Sequence, residues 1–330
     1  MDDRRIIYSF IVLAAFSLPV ALVTANEGAD LADIAPVPAP SNGPTYDLQY
    51  KLTTGTVLRY DVDHRAAIRS TIDETSQEAQ TLTSSVKAWK VTDVLPNGQI
   101  EFMNVVERVH MQNKLPDRAP TEYDSTKDKV PPPGFEDAAK AIGVPLSVVR
   151  MTPRGEVISH KAKSAQPEAE NDAPITVRLP DEPVAVDATW DEPFDINVKV
   201  EEGGTKAIQT RRHYKLASVE SGIATIEVTY QILSPITPQV ESQLVQRLMK
   251  GSVKFDIEKG QIASQNYEVD KRILGFAGPT SSMHYVMQME EKLKEANIAQ
   301  PPEKTARNPV PPKPPTSMAT RPDGKATKVR

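Results

Sequence analysis

Cysteine is absent from the 330 residues, and histidine occurs only five times. The first absence excludes disulfides, thiol nucleophiles and cysteine metal sites, and with them a lipid-modified cysteine behind an export signal. The histidines, at positions 64, 110, 160, 213 and 284, form no H-E-x-x-H or H-x-H pattern, so each reads as a structural or surface group. No G-x-S-x-G elbow, G-x-x-x-x-G-K-S/T loop or G-x-G-x-x-G turn occurs. Carboxylates are plentiful, but acid–base pairs are assembled in space, and spacing alone does not select two from 44 acidic residues. Tyr123-Asp124-Ser125 reads as an Asp-Ser turn in a long loop. No catalytic, cofactor-binding or metal-binding residue is therefore assigned. Beyond residue 25 no apolar run is long enough to span a bilayer.

What is present begins with a leader. Arg4 and Arg5 open the chain, Ile6 to Val23 is uncharged and apolar, and Val23-Thr24-Ala25 offers the compact side chains that signal peptidase needs. Residues 1–25 are therefore expected to be a signal peptide, with an uncleaved N-terminal anchor as the alternative. Export without cysteine fits a bacterial periplasm or exterior. Residues 26–44 are rich in Ala, Pro and Asp and read as a linker. Residues 301–330 hold eight prolines and seven basic against two acidic residues, the composition of a disordered tail. The chain carries −5 overall while this tail carries +5, so the body is acidic. Nucleic acid is not an expected partner of such a body, whereas the tail suits an anionic envelope surface.

The body reads mainly as antiparallel β. Leu48, Tyr50 and Leu52 alternate with polar residues, as do Leu58, Tyr60 and Val62, the period of a half-buried strand. Pro96-Asn97-Gly98 separates two apolar stretches and predicts a hairpin, because Asn-Gly tolerates positive φ. Gly203-Gly204 reads as another hairpin tip. About three helices are expected against one face. One begins near Phe135 and stops at Gly143. The second opens at Thr237-Pro238, with Val240, Leu244 and Leu248 four apart and Gly251 beyond its end. The third covers residues 282–296, with Val286, Met289 and Leu293 inward and Glu290 paired to Lys294.

The order of elements repeats. Trp89 to Val94, a turn, and Ile100 to Phe102 resemble Tyr214 to Val219, a turn, and Ile226 to Val228. A short helix follows in each case, then a second hairpin, with Gly155 and Gly260 closing the two turns. The expected class is thus mainly β with some α, built from a doubled hairpin–helix–hairpin unit. Its expected halves are residues 45–178 and 179–300, the second including the C-terminal helix.

Tyr46 to Val62, Tyr123-Asp124-Ser125, Thr189-Trp190 with Pro193-Phe194, His213 to Leu216, and Phe255 to Ile262 together resemble an uncharacterised family of secreted β-rich proteins from planctomycete-type bacteria. That resemblance covers most of residues 46–290 and implies export and a β body, with no established activity. In architecture alone, strands with helices on one face also resemble periplasmic lipoprotein carriers, which cup an apolar ligand. Met283, Met287 and Met289 offer adaptable apolar surface of the kind such a ligand needs. The expectation is an exported, non-enzymatic envelope protein whose body binds a partner protein or an apolar ligand. The alternatives are a hydrolase with carboxylates gathered from both halves, and a structural component of the cell surface.

Overall fold

A computed structural model describes residues 43–163, 176–200 and 203–298. The expected signal peptide, most of the linker and the basic tail lie outside the described residues. Among those described, no helix is long and apolar enough to cross a membrane.

The strands are β1 (Thr45–Tyr46), β2 (Thr56–Ile72), β3 (Thr75–Val94), β4 (Ile100–Lys114), β5 (Thr121–Asp124), β6 (Pro145–Met151) and β7 (Val157–Ala162). They continue with β8 (Val184–Ala185), β9 (Thr189–Lys199), β10 (Thr205–Glu220), β11 (Ile223–Ile232), β12 (Lys250–Asp256), β13 (Gln261–Leu274) and β14 (Ser282–Ile298). Helix α1 is Glu136–Ala141, and α2, Pro238–Leu244, continues as a 3-10 turn over Val245–Arg247. One 12-stranded antiparallel sheet runs β7-β6-β4-β3-β2-β14-β13-β12-β11-β10-β9, with β5 added beside β4. The body is mainly β, as its alternating pattern implies. Both expected halves belong to this single sheet, and β14 joins them at its centre.

Turn chemistry sets the hairpins. The β3–β4 turn closes with Gly98 at φ 81° and the Asn97 side chain accepting from Gln99 N. In chain order, entry strand β2 precedes the hairpin β3–β4, strand β5, helix α1 and the hairpin β6–β7, and entry strand β9 precedes the hairpin β10–β11, helix α2 and the hairpin β12–β13. The β3–β4 ladder shifts register between Val86 and Lys87 and between Val91 and Asp93, and the β10–β11 ladder between Leu216 and Ser218. At the open edge, Leu216 N donates to Ala188 O, which by alternation turns the nitrogen of Pro193 outward. A proline there removes a donor that another strand would use.

Three expectations are corrected. Residues 282–296 form strand β14 and not a helix. Both readings find apolar positions, but a slot between β2 and β13 offers ladder bonds along the whole segment. Met283, Tyr285, Met287, Met289, Glu291 and Leu293 then share one face, while Glu290 pairs with Lys292 and Lys294 with Asp61. Residues 47–52 alternate in burial as expected, yet join no ladder. Their backbone bonds go instead to two turns, Tyr50 N to Pro153 O and Lys51 N to Gly260 O. Gly251 lies inside β12 and does not stop α2, which gives way to the 3-10 turn well before it.

The helices sit where each half leaves inner apolar surface. Phe135, just before α1, packs with Val106, Val109, Met111, Tyr123 and Leu146. Val240 and Leu244 of α2 pack on Ile196, Val198 and Ile208. Thr237 caps α2, its hydroxyl accepting from Val240 N, which satisfies one of the orphan donors at a helix start.

Candidate functional site

The inner face of the sheet curls on itself. In a flat sheet β3 and β12, four strand spacings apart, would hold their side chains about 19 Å apart. Instead one ring, Tyr50, lies 6.5 Å from Trp89 of β3 and 5.4 Å from Phe255 of β12. Tyr50 belongs to the 47–52 segment, which closes the end of the trough. Its hydroxyl donates to Val177 O and accepts from Val177 N. The turn glycines make room for this plug. A Cβ on Gly155 would lie 2.1 Å from Val177 O, and one on Gly260 would lie 2.3 Å from Lys51 N. Both residues also have positive φ, so glycine is required twice over. Trp89 stacks on Phe102 at 4.6 Å and meets Tyr60 at 5.9 Å, completing a buried aromatic cluster.

Above that cluster lies a belt of buried polar groups. Lys87 Nζ stands 2.6 Å from Glu291 Oε2, and the Glu291 side chain is 3% exposed. The same ammonium lies 5.5 Å from the Tyr60 ring and 5.8 Å from that of Trp89, within cation–π range. Glu291 Oε1, Trp89 Nε1 and the side-chain oxygen of Asn104, opposite Trp89 on β4, are buried without a hydrogen-bond partner among the described residues. Burial, with the Glu291 charge adding, pushes the Tyr60 hydroxyl well above the ordinary tyrosine range. His64 faces the same interior, and burial lowers its pKa to about 4.

Beyond the belt the inner face mixes apolar residues with buried Ser70, Thr81 and Thr83, while Lys271, opposite Tyr285, pairs with Glu241 of α2, and Val245 and Met249 join the same cluster. Met283, Tyr285, Met287 and Met289 of β14 point inward beside Ala66 and Ile68 of β2, Ala79 of β3, and Val269 and Ile273 of β13. In the second half, Arg212 Nη1 meets Glu192 at 2.8 Å, and Tyr214 Oη donates to the same carboxylate oxygen. Its guanidinium lies 4.2 Å from the Phe194 ring and 5.4 Å from that of Tyr230.

The outer face carries an open polar trough of about 710 Å³ across β11, β12, β13, β14 and β2. Asp63, Arg65, Glu227, Lys250, Glu268 and Glu290 line it, and Lys250 pairs with Glu268 at 3.1 Å.

The residues that sequence patterns single out do not converge. Asp124 caps its turn by accepting from Thr126 N and Oγ1. The hydrogen bonds from Lys127 and then Thr126 hold its carboxyl well below the usual range. His110, His213 and His284 are bound to Glu122, Asp191 and Asp270 on the surface. No group of three or more histidine or carboxylate side chains gathers as metal ligands among the described residues. Lys87, Glu291, Arg212 and Glu192 escape motif reading altogether. Their one signal is phase: Glu291 falls between Met289 and Leu293 and Glu192 between Trp190 and Phe194, while Lys87 and Arg212 each precede an aromatic, Trp89 or Tyr214, by two residues.

No protein-family model matches the chain, and no curated protein sequence matches it. Among solved structures, the chain is similar to lipovitellin, described in a study of lipid–protein interactions in that protein. Identity is 12% and the TM-score 0.43, covering 76% of this chain and 26% of the other. The chain thus spans about a quarter of lipovitellin's length. It is also matched to OccK11 (OpdR) of Pseudomonas aeruginosa at 8% identity and TM-score 0.17, over 74% of this chain and 99% of that one. Superpositions this loose carry no functional inference.

Proposed function

We propose that the chain is an exported, non-enzymatic bacterial envelope protein that holds an apolar ligand against the inner face of its curved sheet. The carrying observation is the inward row Met283, Tyr285, Met287 and Met289 on the central strand, with the plug around Tyr50 closing one end of the trough. Methionine is unbranched and polarisable, so a row of it repacks around chains of varied shape at low cost. The doubled unit belongs to this reading: a repeated hairpin–helix–hairpin lays two similar walls on either side of β14. So does membership of an exported β-rich family, with residues 301–330 as a basic tether to an anionic surface. The hydrolase alternative needs two convergent free carboxylates, whereas Glu291 and Glu192 are each matched to a cation of their own. A second reading, a partner protein on the outer face, is favoured by the charged trough there.

Native mass spectrometry of the protein purified from its own host tests the proposal. The expected result is a non-covalent adduct of lipid-like mass that is lost from a folded Met287→Lys variant. A bare chain that co-purifies with another protein, and releases it on Lys250→Glu, would favour the second reading. The export reading has its own check. The mature N-terminus is expected at Asn26, and a chain that still begins at Met1 would be anchored instead.

A further inference from the structure

The polar belt is unusual in what it leaves unmade. Glu291 is almost wholly buried, yet only one carboxylate oxygen is engaged, and no described group bonds Oε1. Trp89 is fully buried with its indole N–H unpartnered, and Asn104, opposite it, buries an unpartnered oxygen. Lys87 has three N–H donors, and among the described residues its one hydrogen bond goes to Glu291. Leaving such groups unsatisfied in a dry interior is costly, so each one calls for an explanation. These unused donors and acceptors lie toward the plug end of the methionine row, Trp89 and Asn104 at the plug and Glu291 nearer the row, with Lys87 reaching both Glu291 and the Trp89 ring.

We propose that Lys87, Glu291, Trp89 and Asn104 form the receptor for an uncharged polar headgroup on a single-chain amphiphile, such as the glycerol of a monoacylglycerol. This deepens the apolar-ligand reading and rests on it. Charge selects the class. Lys87 and Glu291 cancel, so an anionic headgroup would set an unbalanced charge against Glu291, and a cationic one would do the same against Lys87. A hydroxyl suits both neighbours, donating to Glu291 Oε1 or Asn104 Oδ1 and accepting from Trp89 Nε1 or the ammonium. Position supplies the rest. From Glu291 the inward residues of β14 run Met289, Met287, Tyr285, Met283, a path of about 27 Å at strand spacing, along which one extended alkyl chain can lie.

The test uses the full exported chain, stripped of lipid, with three probes that differ only at the headgroup: monoolein, oleate and oleylamine, at pH 7.4. Tryptophan fluorescence gives each Kd. Monoolein is expected to bind at least tenfold tighter than either charged probe. Glu291→Gln leaves Lys87 unbalanced and should turn the preference to oleate by about tenfold, and Lys87→Met should turn it to oleylamine. Should either variant fail to fold, the order of the three probes on the wild-type chain decides alone. Oleate or oleylamine binding as tightly as monoolein, or a selectivity unmoved in folded variants, would overturn the headgroup site while leaving an apolar-ligand protein. If none of the three probes binds the wild type, the apolar-ligand reading falls with it.

Discussion

Lys87 and Arg212 are inward cations in the two halves of the sheet, each two residues before the large inward aromatic of its hairpin, Trp89 or Tyr214. Their surroundings diverge at the entry strand. Opposite Arg212 stands Glu192, and opposite Lys87 stands Tyr60. Arg212 therefore finds its carboxylate on the adjacent strand. That carboxylate is also held by Tyr214 and stays 31% exposed, within reach of water. Lys87 must reach across β2 to Glu291 on β14, where the second carboxylate oxygen is left unbonded. One pair is a clamp whose carboxylate is held by two side chains, Arg212 and Tyr214. The other is a polar pair with capacity to spare at the centre of the trough. Each cation is served by what the neighbouring strand supplies, Glu192 directly beside Arg212 and Glu291 one strand further from Lys87.

The largest effect that would break this contrast is at the clamp. Arg212→Met leaves Glu192 and Tyr214 without their cation and removes its stacking on Phe194, so urea unfolding should show a loss of about 3–5 kcal/mol. A loss below about 1 kcal/mol would make the clamp an ordinary surface pair.

The next effect is on pH. His64 points inward on β2, in register with Thr83 and Met289. Its folded pKa of about 4 is below the ordinary 6.5, so the unfolded chain takes up its proton first on acidification. Its contribution is complete above pH 6.5 and is lost as pH falls toward 4, by up to about 3 kcal/mol. Unfolding of wild type and His64→Ile followed between pH 7.5 and 4.5 should show this slope in the first and not in the second.

The smallest effect has the opposite sign. Replacing the central pair together, Lys87→Met with Glu291→Leu, removes two buried charges that are incompletely bonded. Stability should then be unchanged or rise by about 1 kcal/mol or more. A loss comparable to that of Arg212→Met would mean that the two pairs do the same structural work.

Much of this was open to sequence reasoning, for local reasons. Asn97-Gly98 and Thr237-Pro238 carry their geometry in their own backbone preferences, and both formed the expected turn and helix start. Alternation at Leu48, Tyr50 and Leu52 foretold which side chains are buried, but not that their backbone would bond turns at Pro153 and Gly260. Those partners are more than a hundred residues away in sequence. Residues 282–296 read as a helix because Met, Glu, Lys and Leu suit one, and only the slot between β2 and β13 tips the balance to a strand. The belt was hidden for the same reason. A charge in the inward phase of a strand can be seen only once the phase is known, and β14 fixed it for Glu291.

The central claim concerns the row of methionines beyond that belt, and methyl NMR observes it directly. With the methionine methyls labelled in the lipid-free exported chain, titration with monoolein should shift the resonances of Met283, Met287 and Met289. Met103, whose neighbours Phe102 and Asn104 take the inner face, should remain still. Shifts confined to Met103, or the absence of any shift at saturating monoolein, would contradict an apolar ligand on the inner face.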